Sequence, residues 1–425
     1  MRTIRFIAVI IIAGILGYYL GVNKVALDWN AFHPSIQISS KEPPTSVSTL
    51  DFSKFWTVFE KVQADYYDKS AIDQQKLLDG AISGMVSSLD DPFTTYLPPV
   101  RNSDFKQAMA GQFTGIGAEL GMKEKQIIVI APIDGSPAQK AGIRAGDAIL
   151  KVDSLSTAGL TLSQAVEKIR GPKETKVALT ILRAKDSSPK VLNITRDVIT
   201  VKSVTSWLKP IKEVEEIKLN DTLKKSGDSK ISYIRLSQFG DNTNQEWLTF
   251  SNELALKMQT DKSIKGVILD LRNNPGGYVT DAVFIASEFL KMGQTVVIQD
   301  FGSGREERLN VTRNGLLLDT PLIILINKGS ASASEIVTGA MRDYDRAVIV
   351  GEQSFGKGTM QSAEDLGSGA GLHVTIARWL TPNKIWVGNG KNGEGIKPDV
   401  TVSLDEKDPS RDTQLEKAIE EILKK

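Results

Sequence analysis

Between residues 51 and 66 the apolar positions Phe55, Val58, Phe59, Val62 and Tyr66 recur every three or four residues, the spacing of one helix face. A second face, Leu77, Leu78, Ala81, Ile82 and Met85, predicts a helix from Asp73 to Leu89. It stops at Asp90-Asp91-Pro92, because proline cannot continue the helical hydrogen-bond ladder. Together they predict a small helical N-terminal domain, 51–110. From 111 to 198 the pattern changes to short strands, tight turns and one helix, Leu162 to Arg170. From 199 to 425 it alternates strands (Ser232–Leu236, Gly266–Leu271, Thr295–Ile298, Leu322–Ile326, Ala347–Val350, His373–Trp379) with helices (Gln245–Thr260, Val279–Lys291, Ser332–Tyr344, Thr413–Lys424). That is an α/β layer pattern in a multi-domain chain. The charged stretch Lys209–Lys230 reads as a surface excursion, and the Gly388–Gly395 loop as a plain surface turn.

Ahead of these domains, Arg2 and Arg5 precede an uncharged apolar run, Phe6 to Val22. Basic residues stay on the cytoplasmic side, so the rest is expected outside the cytoplasm: membrane-anchored through residues 1–22, or exported if that segment is cleaved as a signal. Residues 23–50, with Pro34, Pro43, Pro44 and many Ser and Thr, read as a linker.

Composition narrows the chemistry. The 425-residue chain is 41% hydrophobic and 24% charged with a net charge of +1, so nothing points to a nucleic-acid partner. With no cysteine there is no disulfide, thiolate metal site or cysteine nucleophile. Only two histidines exist. His33 lies in the linker and His373 in an alternating strand, neither beside a candidate nucleophile in a glycine-rich turn, and both read as structural.

A serine nucleophile in such a chain needs another base, and a desolvated lysine serves, since burial disfavours its charged form. Ser332 stands in Gly329-Ser330-Ala331-Ser332-Ala333-Ser334-Glu335, where an apolar strand gives way to a helix. Lys357 stands in Gly356-Lys357-Gly358, with Phe355 and Met360 near it. The same residues have a plainer reading, because Ser332-Ala333-Ser334-Glu335 also fits a helix capping box. Ser330 and Ser334 are alternative nucleophiles. Asn273-Asn274-Pro275-Gly276-Gly277 follows another strand and can turn backbone N–H groups toward an oxyanion, as can the N–H of Ala333. Gly351-Glu352-Gln353-Ser354-Phe355-Gly356-Lys357 nearly spells a phosphate-binding loop, but Gly358 replaces the required hydroxyl and no helix-forming sequence follows.

The order Gly115-Ile116-Gly117, strand Gln126–Ile130, turn Gly135-Ser136-Pro137 and Ala141-Gly142-Ile143-Arg144-Ala145-Gly146-Asp147-Ala148-Ile149-Leu150 resembles a PDZ domain. The resemblance implies that Gly115, Ile116 and Gly117 present N–H groups to a peptide's terminal carboxylate. Arg170, ending the helix beside that groove, is a candidate gating contact or a solvated helix end.

Asp270-Leu271-Arg272-Asn273-Asn274-Pro275-Gly276-Gly277, the Ser332 segment, the Lys357 segment, Leu89-Asp90-Asp91-Pro92-Phe93-Thr94 and Gly395-Ile396-Lys397-Pro398-Asp399 together resemble the C-terminal processing peptidases, or tail-specific proteases. The likeness runs from about Asp51 to Lys424. It implies a crotonase-like α/β core with a PDZ-like domain inserted after the helical domain. It also implies serine endopeptidase activity near C-terminal tails, with Ser332 as nucleophile, Lys357 as base and Gln361 positioning the lysine. The oxyanion donors would be the Ala333 N–H and one of the Gly276 and Gly277 amides. No metal and no organic cofactor are expected. Expected partners are substrates with free C-termini, the membrane, and a further copy of the chain. A non-enzymatic PDZ scaffold that binds tails is the rival reading.

Overall fold

The computed structural model describes residues 25–30, 33–38 and 51–425, except 124–125, 134, 145, 184–185, 389–393, 406–407 and 409–410. The apolar run Phe6–Val22 lies outside these residues. Among the described residues no helix is long and apolar enough to cross a membrane. Within the expected linker, Val25–Asn30 and His33–Ile38 pair as an antiparallel hairpin.

The chain divides into two compact units, 1–81 and 82–425. In the first, the helix Ser53–Asp65 carries a ladder of rings, Phe55, Trp56 and Phe59, with centroids 5.0–6.1 Å apart. The second expected helix runs Gln74–Ser87. A helix at Pro99–Met109, opened by a proline in its first turn, was not expected; its apolar positions lack a single face.

In the second unit, residues 118–195 form one antiparallel sheet whose strands lie in the order 190–195, 176–182, 148–152, 126–132, 118–123. Ile127, Val129, Ile149, Val177, Leu179 and Ile181 point inward against Ala165 and Ile169 of the helix Leu162–Ile169. A separate pair, Gln112–Gly115 with Asp197–Thr200, carries the chain into and out of this domain.

The remaining core is built on six strands ordered 204–210, 230–236, 264–270, 322–326, 348–351, 400–401, parallel except for the first pair. All five residues of Leu322–Ile326 are buried because both faces of the sheet are covered. Leu322, Ile324 and Ile326 face the main core with the helices Val279–Ala286 and Ala333–Asp343. Ile323 and Leu325 face the C-terminal helix Thr413–Ile422. An antiparallel sheet, 306–310, 295–300, 370–380, 359–367, adds a second layer, and Thr95–Leu97 pairs onto 370–380.

The 209–230 stretch is not a surface excursion. Ile211 and Leu223 are fully buried and pack with Val214 and Ile217 against the C-terminal helix. Its lysines stay in water while the apolar residues spaced between them face inward, a pattern that charge content conceals.

Candidate active site

The strands 264–270 and 322–326 are parallel neighbours, so the turns at their C-terminal ends lie side by side. Side chains stitch the turns together. Asn327 accepts the Asn273 N–H at 2.8 Å and donates to Asn273 Oδ1 at 2.9 Å. Ser330 donates to the Leu271 carbonyl at 2.8 Å and Ser334 to the Asn274 carbonyl at 3.0 Å. Both hydroxyls are buried and committed to the backbone, which gives these serines a structural task. Ser332 differs: among the described residues its hydroxyl is donated to no backbone carbonyl.

Ser332 is also strained, at φ 55° and ψ −116°. A non-glycine residue there costs about 1–3 kcal/mol and persists only where its surroundings over-determine it. Glu335, wholly buried one turn into the helix, supplies that restraint. Its carboxylate accepts the Ser332 N–H, the Ser354 hydroxyl at 2.6 Å, the Gly356 N–H at 2.6 Å and the Lys357 N–H. The Glu335 half of the expected capping box is therefore present, and the same carboxylate also gathers the lysine turn. Burial pushes its pKa up, against these four donors.

No helix follows Lys357; the strand Thr359–Gly367 does, so the phosphate-loop reading lacks the helix N-terminus it needs. Lys357 is half-buried with its Nζ 5.0 Å from the centre of the Phe93 ring. Burial lowers its pKa, against the opposing charges of Asp91 and Glu335. Among the described residues no carboxylate comes within ion-pair distance of it. His373, read as structural, lies within electrostatic reach. Burial and then the lysine charge lower its pKa, and its ring stands edge-on to Phe105 with centroids 4.5 Å apart. Gln361 donates through Nε2 to Thr359 Oγ1 and Thr375 Oγ1, each at 3.0 Å.

The two glycines of the other turn are not equivalent. A Cβ on Gly276 would lie 2.7 Å from Ser332 Cβ and 2.9 Å from Ala333 N, so this backbone packs directly on the serine turn. Its N–H is already donated to Asn274 Oδ1 at 2.8 Å. The Gly277 and Ala333 N–H groups have no acceptor among the described residues. Phe239 clamps the turn, donating to the Gly276 carbonyl at 2.9 Å and accepting the Tyr278 N–H at 3.0 Å. Arg272 anchors its base, held at 2.6 Å by Asp270 and at 2.8 Å by Asp412 of the C-terminal segment.

Gly115, Ile116 and Gly117 line a cleft of about 160 Å³ with Phe113, Leu120, Val166, Ile169 and Arg170. The Ile116 and Gly117 N–H groups have no acceptor among the described residues. The Arg170 guanidinium lies over the Phe113 ring at 5.3 Å, inside the groove lining. The glycine-rich loop, read as a plain surface turn, reaches the lysine turn at both described ends: Gly388 packs on Gly358, and a Cβ on Gly395 would lie 2.4 Å from the Ser354 carbonyl. Residues 389–393 lie outside the described residues.

A lysine-containing turn beside a strained serine, with unpaired N–H groups and a peptide-sized cleft in a separate domain, is the arrangement of a PDZ-containing serine peptidase. Family models agree: Peptidase family S41 matches residues 230–402, the PDZ domain 128–183, and the activating protease CtpB N-terminal domain 11–99. The chain is 36% identical over 361 residues to the carboxy-terminal processing protease CtpA of Bacillus subtilis, covering 84% of this chain and 71% of that one. It is 38% identical over 350 residues to the carboxy-terminal-processing protease of Bartonella bacilliformis, covering 82% and 74%. The solved photosystem II D1 C-terminal processing protease superposes with a TM-score of 0.50 at 30% identity, covering 82% of this chain and 92% of that one. The chain belongs to the carboxy-terminal processing proteases of peptidase family S41, and it is a serine peptidase.

Sequence reasoning missed the residues around the lysine. Glu335 was visible only as a helix cap, although a buried acid three residues past the serine has more donors to serve than a cap requires. Asp91 and Phe93 sit in the Leu89-Asp90-Asp91-Pro92-Phe93-Thr94 segment, whose sequence by itself assigns them no role. Their sequence distance from Lys357 hides the contact, and the Asp-x-x-Thr spacing of an Asx turn is the one available signal.

Proposed function

We propose that this protein is a tail-specific endopeptidase in which Ser332 is the nucleophile and Lys357 the general base. The observation that carries the reading is that one buried carboxylate, Glu335, holds the backbones of both residues. Neutral Lys357 takes the Ser332 proton as Oγ attacks the scissile carbonyl. The N–H groups of Gly277 and Ala333 receive the oxyanion. Collapse breaks the C–N bond, and the lysine ammonium protonates the leaving amine. Water, giving its proton to the same lysine, then hydrolyses the acyl-enzyme and restores the serine.

The Gly115–Gly117 cleft captures a free terminal carboxylate and an apolar last side chain, while the substrate strand adds beside residues 118–123. The basic residues and apolar run of positions 2–22 support a membrane-tethered, extracytoplasmic location. Exposed Trp56 and Val58 on the helix Ser53–Asp65 support self-association. The presence of both Ser332 and Lys357 favours the enzyme over a binding scaffold.

The test is mass spectrometry of products from one peptide offered as free acid and as amide. Cutting of the free acid in preference to the amide, abolished in Ser332→Ala and Lys357→Ala, is the expected outcome. Binding without cleavage would replace the enzyme with a scaffold.

A further inference from the structure

We propose that Gln238 and Asn242 are positioning residues: by tying the segment 238–242 to the C-terminal end of the helix Pro99–Met109 they fix the Phe239 clamp, and through it the direction of the Gly277 N–H that receives the oxyanion. The inference rests on the reading of Gly277 and Ala333 as oxyanion donors and deepens it.

A helix ends in carbonyls that have no partner within it. Here three successive ones are taken by the same short segment. Gln238 Nε2 donates to the Ala108 carbonyl at 3.1 Å, the Asp241 N–H to the Met109 carbonyl at 3.0 Å and Asn242 Nδ2 to the Ala110 carbonyl at 3.1 Å. The approach is close, since Gly240 has no room for a Cβ against the Met109 carbonyl. The segment is also closed on itself by the fully buried Thr243, whose hydroxyl accepts the Gly240 N–H at 2.9 Å and donates to the Gln238 carbonyl at 3.2 Å. Phe239, fully buried, is thus held to the helix on both of its flanks.

Phe239 gives both of its backbone groups to the oxyanion turn. Its N–H goes to the Gly276 carbonyl and its carbonyl accepts the Tyr278 N–H, so the two bonds bracket Gly277 and set the direction of the Gly277 N–H. Phe239 and Gly277 pair as a parallel bridge, and Gly277 has no room for a Cβ against the Phe239 carbonyl. The body of the helix is fixed as well. Asn102, buried, donates to the Gly369 carbonyl at 2.9 Å and to Asp365 at 3.2 Å, and Lys106 pairs with Asp365 at 2.7 Å. Asp365 and Gly369 belong to the hairpin 359–380, which follows the lysine turn. The helix is therefore a strut between the hairpin that leaves Lys357 and the turn that carries the Gly277 N–H. Gln238 and Asn242 are its joint.

The experiment measures kcat and KM of the full chain for one free-acid peptide and for the same peptide with sulfur in place of the scissile carbonyl oxygen, the cut bond being located by mass spectrometry. Each variant is also melted. Sulfur is a weak acceptor for converging N–H groups, so the oxygen-to-sulfur rate ratio reports on the oxyanion site and not on folding. Gln238→Met combined with Asn242→Leu removes both side-chain donors at nearly constant volume. It is expected to lower kcat for the oxygen peptide about 10- to 100-fold with KM changed less than about threefold, and to lower the ratio at least about fivefold. Gln238→Lys combined with Asn242→Leu is expected to recover at least about fivefold of that loss, because an ammonium can donate to the Ala108 carbonyl at the negative end of the helix. If the double variant melts early, the single variants Gln238→Met and Asn242→Leu replace it, with kcat losses of about 3- to 10-fold expected from each. The proposal is overturned if kcat stays within about twofold of the parent, or if the oxygen and sulfur peptides lose rate equally. A parent that cuts both peptides at rates within about twofold overturns the oxyanion reading itself, a separate result.

Discussion

Ser332 and Lys357 hang from the same atom: Glu335 Oε2 accepts the backbone N–H of the serine at 2.8 Å and that of the lysine at 2.9 Å. The serine turn ends one strand and the lysine turn follows the next, since Leu322–Ile326 and Val348–Gly351 are parallel neighbours. Relative placement of the two turns thus depends on a group that takes no part in bond making. Glu335→Gln replaces an acceptor oxygen with an NH2 aimed at N–H donors. It is expected to cost about 2–4 kcal/mol of stability and to lower kcat more than 10-fold with little change in tail binding. Urea melts and peptide titrations of the same variant separate the two effects.

Burial lowers the Lys357 pKa from the ordinary lysine value of 10.5, against the charges of Asp91 and Glu335, and so favours the neutral amine. With Lys357 as the proposed base, activity requires the neutral amine, and kcat/KM should rise with pH through the lowered pKa to a plateau. The stability sign is the same. Between the lowered pKa and 10.5 the unfolded chain binds the extra proton, so stability climbs as pH rises across that window and is depressed below it. Lys357→Met should be inactive yet melt a few degrees higher at neutral pH, roughly the gain expected when a functional site is relieved of such a cost. A lower melting temperature would contradict this.

Gly276 has φ +98°, and a Cβ there would press within 2.7 Å of Ser332 Cβ and the Ala331 carbonyl. Gly276→Ala is expected to destabilise by about 1–3 kcal/mol and to reduce kcat at least 100-fold, because the clash falls on the turn that carries Ser332, the proposed nucleophile. Calorimetry with a burst-phase assay would check both. Wild-type kcat in this variant would mean the two turns are not packed as described.

Asp281, in the first turn after the Gly276-Gly277 segment, has its pKa raised to about 6, chiefly by burial and partly by Asp241. It accepts from Asn244 Nδ2 at 2.9 Å, while Asp281 Oδ2 and Asn244 Oδ1 are both buried without a partner. A proton on the acid would supply the missing donor. Because the folded pKa is raised above 3.8, stability is present at acid pH and falls as pH rises from about 4 to 6. Asp281→Asn, whose NH2 can supply that donor permanently, should be more stable than the parent by about 1–3 kcal/mol at pH 7 and no more stable at pH 4. Urea titrations at the two pH values decide it.

The sequence by itself carried the architecture and the two chemical groups. Helical periodicity marked Ser53–Asp65, and a continuous apolar run marked Leu322–Ile326, because local burial patterns are written in neighbouring residues. Glycine-rich turns after strands marked Ser332, Lys357 and Gly276-Gly277 for the same local reason. Tertiary structure alone decided what surrounds them. Which glycine has an unpaired N–H depends on where Asn274 folds its side chain. That Asp91 and Phe93 reach Lys357 depends on the pairing of Thr95–Leu97 with the strand Ala370–Leu380. That charged 209–230 is core depends on the C-terminal helix arriving to cover it. Each is a contact between segments distant in the chain, and hydrophobic spacing holds no record of which segments will meet.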